Sequence, residues 1–313
     1  MLKISQNNHS WVAFEASVLA QQQFESIAIA FAGFARLDWY LKLWNKRITN
    51  NDICQWSWWM ARGRVENNSE QLDDFDLEIL LSESNEMLEP SDLSLKTWFS
   101  ESDVIWLENL RKNIDKLNNE TRKALAISAG ILTGEYLLSF TSETESLKRP
   151  FSEVYIEMVK TVNQIIDNRS YNRTSNLTAS EFIMRTKADL LYLNLPNPGS
   201  MLEFLNSPSC WKEIWVRKNN SFHQELLNNV KDSPSGLISS KEHYLQVLSR
   251  LLERAKHFPI WAIVFLENNP LSLVEMTEEV KKHREIKTTY LKDFSEIVGQ
   301  RKVYIIVANA QKD

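Results

Sequence analysis

The sequence predicts an α/β fold, with a mostly parallel sheet that ends in an antiparallel strand pair and carries a helical insert. The first observation is the order strand, turn, helix and strand over residues 26–50, which is the βαβ unit of a doubly wound parallel sheet. The second is a long tract of helical periodicity over residues 56–140 with little strand character. The third is a pair of strand-like segments near the carboxyl end, residues 285–291 and 303–309, separated by a loop that contains Gly299.

Local periodicity and turn residues predict the individual elements. Strands are predicted where residues are apolar and β-compatible, at residues 26–31, 46–50, 188–193, 260–266, 285–291 and 303–309. Helices are predicted where apolar residues recur at helical spacing, at residues 37–44, 56–67, 95–117, 119–140, 153–167, 241–256 and 272–283. Asn119 and Thr121 are candidate caps of one helix. We therefore assign residues 1–55 and 150–313 to an α/β domain and residues 56–149 to a helical insert subdomain.

Composition narrows the class of protein. The 313 residues are 43% hydrophobic and 25% charged, which is ordinary for a globular chain. The chain has only two cysteines, Cys54 and Cys210, so no disulfide framework is predicted. Its histidines have no partners at ligand spacing, so no metal cofactor is predicted. No apolar run approaches the roughly 18 residues of a membrane span, and residues 1–23 lack the layout of a signal peptide. A soluble cytoplasmic protein without a membrane partner is therefore predicted. The net charge of −5 disfavours nucleic-acid binding by the whole surface but allows a local basic patch.

Four stretches of the chain resemble one enzyme family in their order and spacing. They are residues 31–42 (FAGFARLDWYLK), 48–53 (ITNNDI), 188–193 (ADLLYL) and the tail 252–307. In this order they resemble the adenine-specific DNA methyltransferases that carry a helical insert between their cofactor-binding and catalytic halves. The resemblance covers most of the chain beyond about residue 24. It implies a Rossmann-like methyltransferase sheet, S-adenosylmethionine as cofactor and DNA as substrate.

The resemblance assigns the cofactor site to Phe31, Gly33 and Asp52. The family pattern Asp-x-Phe-x-Gly-x-Gly keeps its Phe and first Gly here, but Ile29 replaces the carboxylate and Ala35 the second Gly. A hydrogen bond to a charged group contributes about 1.5–3 kcal/mol, so losing one implies roughly ten- to a hundredfold weaker binding. Asp52 suits ribose hydroxyls or, equally, the amino end of a helix. A further family carboxylate maps near Thr178-Ala179 and is also replaced. S-adenosylmethionine binding is therefore predicted to have been lost.

The degenerate catalytic positions are Asn194, Pro196 and Asn197. The family has Asp-Pro-Pro-Tyr directly after its tyrosine-containing strand, where this chain has Asn194-Leu195-Pro196-Asn197. Asn is tolerated at the first position in related enzymes, but Leu195 removes a proline that stiffens the backbone. Asn197 removes an aromatic ring that stacks on the extruded base, a contact of about 1–3 kcal/mol. Together the replacements predict a pseudoenzyme.

Two further segments could contact nucleic acid. In the polar loop at residues 168–178, Arg169, Tyr171 and Arg173 alternate with small polar residues, a mixture that suits phosphates and stacking. A surface loop without a partner is the equally weighted alternative. The tryptophans at positions 56, 58 and 59 could stack on bases, but we expect at least some of them to pack in the core.

The function predicted from the sequence is that of a catalytically inactive DNA adenine methyltransferase-like protein. It would bind DNA, a protein partner or both, as a component of a restriction-modification, DNA-modification or defence system. One alternative is an active S-adenosylmethionine-dependent adenine methyltransferase in which Asn194 receives the amine and Pro196 keeps the turn. A second alternative is a structural subunit that binds neither cofactor nor DNA.

Overall fold

Seven strands in the part of the chain that the structure describes pair into one sheet. The computed structural model describes residues 11–83, 93–141, 143–266, 270–295 and 302–310. Its strands are β1 (Ser26–Ile29), β2 (Arg47–Asn51), β3 (Arg173–Ser175), β4 (Leu190–Asn194), β5 (Ile260–Leu266), β6 (Glu285–Asp293) and β7 (Lys302–Asn309). Gly299, the glycine of the predicted closing loop, lies outside the described residues, as do residues 84–92 and 142 of the predicted insert.

The strand order across the sheet is β3-β2-β1-β4-β5-β7-β6. The five strands from β3 to β5 are parallel to their neighbours. β7 runs antiparallel to both β5 and β6. The predicted α/β class, the mostly parallel sheet and the closing antiparallel pair are thereby confirmed, and the arrangement is compatible with a Rossmann-like fold. β1 lies between β2 and β4. The chain therefore first adds β2 and β3 on one side of β1, and later adds β4 and β5 on the other side.

Helices flank the sheet and fill the chain between its strands. Their bounds are α1 (Val12–Leu19), α2 (Arg36–Leu43), α3 (Gln55–Ala61), α4 (Asp74–Leu80), α5 (Glu101–Ile114), α6 (Glu120–Leu137), α7 (Phe151–Val162), α8 (Ala179–Arg185), α9 (Ser200–Leu205), α10 (Trp211–Arg217), α11 (His223–Asn229), α12 (Lys241–Arg254) and α13 (Leu273–Lys281). A π-helix, Arg62–Glu66, continues α3. Short 3₁₀ helices cover Leu93–Thr97, Glu145–Leu147 and Pro208–Cys210. Asn119 caps α6 as predicted, since its side chain accepts hydrogen bonds from two amides of the first turn.

Several elements were not predicted from the sequence. α1 lacks an amphipathic pattern, because apolar residues surround its one carboxylate. β3 lies within the predicted polar loop, and its three residues Arg-Thr-Ser carry no apolar alternation. It is ordered instead by pairing with β2, where Arg173 lies beside Thr49. The short helices α8 to α11 offer too few turns for periodicity to show.

Both faces of the sheet are covered, and alternate strand residues point to opposite faces. One face packs on α1 and α2 through residues such as Ile27, Ile29 and Tyr192. The other packs on α8, α12 and α13 through residues such as Leu191 and Leu193. A third cluster joins α3 to α7 with α9, α10 and α11, and we call these helices the helical layer.

Packing in the helical layer crosses the predicted domain boundary. Helix α10 follows β4 in the chain, yet its indoles Trp211 and Trp215 lie against Gly134 and Gly130 of α6. Glu213 of α10 also accepts hydrogen bonds from the Gln55 and Trp56 amides at the start of α3, at 2.9 and 3.0 Å. The layer therefore combines residues 56–149 with later parts of the chain, and it holds α3 against the edge where β1 and β2 end.

Candidate functional site

The carboxyl ends of β1, β2 and β4 meet at one edge of the sheet. Ile29 of β1 lies beside Asn50 of β2 and Tyr192 of β4. Asp52 and Asn194 each lie two residues beyond that level, so both reach the same edge. In open α/β sheets, ligands bind where the connections from two neighbouring strands, here β1 and β4, run to opposite sides. We call this edge the switch-point edge.

The turn from β1 to α2 depends on two left-handed residues. Gly33 has a φ of 53°, a conformation that favours glycine. A side chain would not clash there, because nothing lies within 4 Å of where its Cβ would be. Ala35, where the family pattern has its second glycine, also has a positive φ of 50°. A left-handed residue with a side chain costs roughly 1–2 kcal/mol. Phe31 is half-buried against the cluster on the α8 and α12 face of the sheet.

Asp52 holds this turn in place. Its Oδ2 accepts a hydrogen bond from the Gly33 amide at 2.8 Å, and its Oδ1 accepts one from the Cys54 amide at 2.9 Å. Burial raises the pKa of the Asp52 carboxyl, and these amide hydrogen bonds offset part of that rise. The carboxylate thus joins the β1–α2 turn to the beginning of α3, a structural role close to the predicted one at the amino end of a helix.

Two asparagines tie the neighbouring turns together. The Asn51 side chain donates to the Leu177 carbonyl and accepts from the Leu177 amide, each at 2.9 Å. The Asn176 side chain donates to the carbonyls of Asp52 at 2.7 Å and Ile53 at 2.8 Å. The turns after β1, β2 and β3 are therefore joined by side-chain hydrogen bonds. Sequence reasoning missed both residues, although asparagines at the end of a strand or directly after it are a recognisable signal.

The two replaced carboxylate positions have other roles. Ile29 is 3% exposed and packs in the cluster beneath α1 and α2, so an aliphatic side chain fills the position where the family has an acceptor. Thr178 caps α8: its hydroxyl accepts from the Glu181 amide, while the Glu181 carboxylate accepts from the Thr178 amide. Neither position presents a carboxylate to the switch-point edge.

The degenerate motif after β4 follows the sheet and then turns away. Asn194 is half-buried, and Leu195 is buried with its amide donating to the Val264 carbonyl at 3.0 Å. Pro196 is half-buried and Asn197 is exposed. The Asn197 carbonyl accepts from the Ser200 amide at 3.1 Å and so begins the turn into α9. The motif therefore supplies an amide at the edge but no aromatic ring.

Glu15 of α1 is a residue of this edge that sequence reasoning missed. Its Oε1 accepts a hydrogen bond from the Asn194 side-chain nitrogen at 3.4 Å. Burial raises the pKa of Glu15 to about 7, and an interaction with the Tyr192 hydroxyl offsets part of the rise. The available signal was a carboxylate in the apolar segment VAFEASVL, since glutamate is seldom fully buried without a partner.

Arg169, Tyr171 and Arg173 lie together, but away from the switch-point edge. All three are exposed, and the Arg173 guanidinium lies 4.7 Å from the centroid of the Tyr171 ring. The Asn168 side chain donates to the Lys46 carbonyl, which places the loop at the beginning of β2. Lys46 and Asp52 are at opposite ends of that strand, about 20 Å apart for six extended residues. Arg173 pairs with Thr49, midway along β2, and is therefore about 10 Å from the level of Asp52.

The tryptophans of α3 pack as expected from the sequence. Trp56 is buried, with its ring centroid 4.8 Å from that of Phe34. The Lys212 ammonium lies over both rings, at 4.7 Å from the Phe34 centroid and 5.0 Å from the Trp56 centroid. Trp58 and Trp59 are half-buried. These contacts join α3 to α10 and leave Trp56 no face for a base.

Comparisons with known proteins do not assign the chain to a family. Neither a protein-family model nor a curated protein matches the chain. Within the described ranges, three or more His, Cys, Asp or Glu side chains do not come together in a group that could hold a metal ion. Helices in those ranges are too short or too polar to cross a membrane. Fold and site thus define an α/β protein with a doubly wound sheet and a candidate site at the switch-point edge.

Proposed function

We propose that the protein is a catalytically inactive relative of the adenine-specific DNA methyltransferases. It would carry their Rossmann-like sheet and helical insert, and it would act in a DNA-modification or defence system by binding DNA or a protein partner. The observation that carries this proposal is the state of the switch-point edge. Asp52 is engaged by the Gly33 and Cys54 amides, and Ile29 lies in the core.

The residues at this edge do not fit S-adenosylmethionine well. A cofactor ribose would have to compete with two backbone amides for the Asp52 carboxylate, and Ile29 has no acceptor to offer. Asn51 and Asn176 join the adjoining turns, so opening the edge would break several hydrogen bonds at once. Each is worth about 0.5–1.5 kcal/mol net. The tied turns therefore favour a scaffold that has lost its cofactor.

The motif after β4 supports the loss of catalysis separately. Base extrusion costs a few kcal/mol, and a stacking aromatic residue offsets part of that cost. Asn197 is exposed and provides no ring, while Leu195 faces the core instead of shaping the turn. We therefore assign no methyl-transfer step to these residues.

A calorimetric titration with S-adenosylmethionine and S-adenosylhomocysteine tests the proposal. We expect no binding at ligand concentrations up to about 1 mM, because the edge lacks the carboxylate at position 29 and Asp52 is already engaged. Circular dichroism of the same sample confirms that the protein is folded. Binding tighter than about 100 μM would contradict the proposal.

A second candidate function, an active adenine methyltransferase, is favoured by one contact. The Asn194 side chain donates to Glu15, which would leave its carbonyl oxygen as the group that accepts from an amine. Transfer of labelled methyl from S-adenosylmethionine to DNA, abolished by Asn194→Ala, would establish this candidate and overturn the first.

DNA binding by the exposed loop has its own test. Arg169→Gln with Arg173→Gln is expected to weaken duplex binding and to lower the salt slope by about 2, because each phosphate contact contributes about 0.9. Electrophoretic mobility shifts at several salt concentrations measure both quantities. Arg185→Gln with Lys187→Gln, which also removes two positive charges, at exposed residues at and just beyond the end of α8, is the matched control. Absence of duplex binding at low salt would exclude DNA as the partner and leave the protein partner.

A further inference from the structure

A cavity of about 740 Å³ lies between the β1–α2 turn and the helical layer. Its walls come from α2, the π-helix, α6 and α7, and Phe34 borders it next to the turn. Among the described residues that line it, neither Asp52 nor Asn194 is found, so the cavity is separate from the switch-point edge. Its volume is within the roughly 300–1,000 Å³ of small-molecule sites.

Two arginines face this cavity without a direct ion pair to a carboxylate. Arg36 and Arg64 both line it, and both also line an adjoining cavity of about 400 Å³. Across the described ranges, neither guanidinium has a carboxylate oxygen within 4.0 Å. The Glu135 carboxylate, also on the wall, is instead neutralised by Lys212, whose Nζ lies 2.6 Å from it. The cavity therefore has an excess of positive charge on one side.

Burial and the nearby charge of Arg36 make the Arg64 charge costly, and Asp38 offsets only part of that cost. Burial lowers the pKa of the Arg64 guanidinium, the Asp38 carboxylate raises it, and the charge of Arg36 lowers it again. The aromatic rings beneath the arginines provide part of the compensation. The Arg36 guanidinium lies 5.2 Å from the Phe34 centroid, and that of Arg64 lies 5.8 Å from the Trp39 centroid. A bound anion would relieve the remaining cost.

The segment that carries Arg64 has an unusual backbone. It belongs to the π-helix Arg62–Glu66, and such elements are rare and are found frequently at functional sites. The buried Lys42 ammonium holds its end by donating to the carbonyls of Arg64, Val65 and Asn67. The Arg64 side chain is therefore presented from a fixed position.

Aromatic side chains form a further part of the wall. Trp98 and Tyr136 line the cavity together with Trp39 and Phe34. Trp98 and Tyr136 are half-buried, so part of each ring is accessible from the cavity. Rings of this kind stack on nucleobases with about 1–3 kcal/mol per base, whichever base is present.

We propose that this cavity binds a nucleoside 5′-phosphate, with its phosphate held by Arg36 and Arg64 and its base against Trp98 and Tyr136. The planar fork of a guanidinium matches phosphate oxygens with two parallel hydrogen bonds. The inference goes beyond the proposed function and does not rest on it, because the cavity and the switch-point edge have different residues.

Calorimetric titration of the full chain with AMP, GMP, CMP and UMP at low salt tests the proposal. At least one nucleotide is expected to bind with a Kd below about 100 μM. Inorganic phosphate and the matching nucleoside are each expected to bind at least about tenfold more weakly, because each makes only one of the two contacts. Arg36→Gln is expected to weaken nucleotide binding about ten- to a hundredfold, the effect of losing a charged hydrogen bond.

Three comparisons decide the outcome. Arg36 is exposed, so Arg36→Gln is expected to remain folded, which its thermal melting confirms. Arg250→Gln, a change of equal charge at an exposed residue of α12, is expected to bind nucleotide as the unchanged protein does. The proposal is overturned if none of the four nucleotides binds at about 1 mM, or if Arg36→Gln binds as tightly as the original chain. Phosphate that binds as tightly as every nucleotide would also overturn it.

Discussion

Glu15→Gln is expected to stabilise the protein by about 3 kcal/mol at pH 8 and to leave its stability nearly unchanged at pH 4.5. Burial raises the folded-state pKa of Glu15 to about 7 from the ordinary glutamate value of 4.5. Between these pH values the folded state holds a proton that the unfolded state has released, so stability falls as pH rises through this window. At 1.36 kcal/mol per pKa unit, this difference corresponds to about 3 kcal/mol of stability lost when Glu15 ionises. An uncharged glutamine does not incur this loss.

Urea unfolding between pH 4.5 and pH 8 measures this effect. The range stays largely below the folded-state pKa of Lys42, about 8, so that side chain adds little to the slope. Some pH dependence is expected to remain, since burial also raises the pKa of Asp38 to about 6. The exposed substitution Glu25→Gln serves as the control for a change of one charge. If Glu15→Gln and the original chain lose stability in parallel over this range, the buried carboxyl is not the cause.

Gly134→Ala is expected to destabilise the protein by about 1–2 kcal/mol. A Cβ at this position would lie 2.2 Å from the Cη2 atom of Trp211 and 2.5 Å from its Cζ2 atom, so the buried indole would have to move. Overpacking of this kind costs about 1–3 kcal/mol and occasionally more. The gain in helix propensity from Gly to Ala, about 1 kcal/mol, offsets part of the strain. Gly130, whose Cβ would lie 2.3 Å from Trp215, is expected to behave in the same way.

A double-mutant cycle with Trp211→Leu separates the clash from other effects of the added methyl group. Once the indole is absent, Gly134→Ala is expected to be neutral or slightly stabilising, because only the helix propensity remains. Chemical denaturation of the four proteins gives the coupling free energy. An equal loss of stability in both backgrounds would show that the alanine acts through some contact other than Trp211.

Much of the sheet could be predicted because its strands are apolar and locally bounded. The predicted strand at residues 260–266 coincides with β5, and the two closing strands differ from β6 and β7 by at most two residues at either end. The amino-terminal cap of α6 was also predictable, because a cap depends on residues within one turn. β3 could not be predicted, since an edge strand of three polar residues is ordered by pairing with β2.

In the candidate site, too, local sequence patterns predicted some residues, and only the tertiary structure revealed others. Gly33, Asp52 and Asn194 lie at or just beyond the ends of strands that the sequence predicted, and the structure places them at one edge. The contact between Glu15 and Asn194 joins residues separated by 179 positions, and local patterns carry no information about such a pair. The loop with Arg169 and Arg173 was predicted from residue types alone, and its position beside β2 follows from the pairing of β3 with that strand.

The sequence by itself determined the alternation of strands and helices, the closing strand pair and the replacement of Ile29, Ala35 and Asn197 in the resembling motifs. These are properties of residue type and short-range spacing. Tertiary structure alone decided that the Asp52 carboxylate closes the turn and that Arg36 and Arg64 share one cavity. Burial, hydrogen-bond partners and cavities arise from packing between distant segments, and packing depends on the whole fold rather than on any single element.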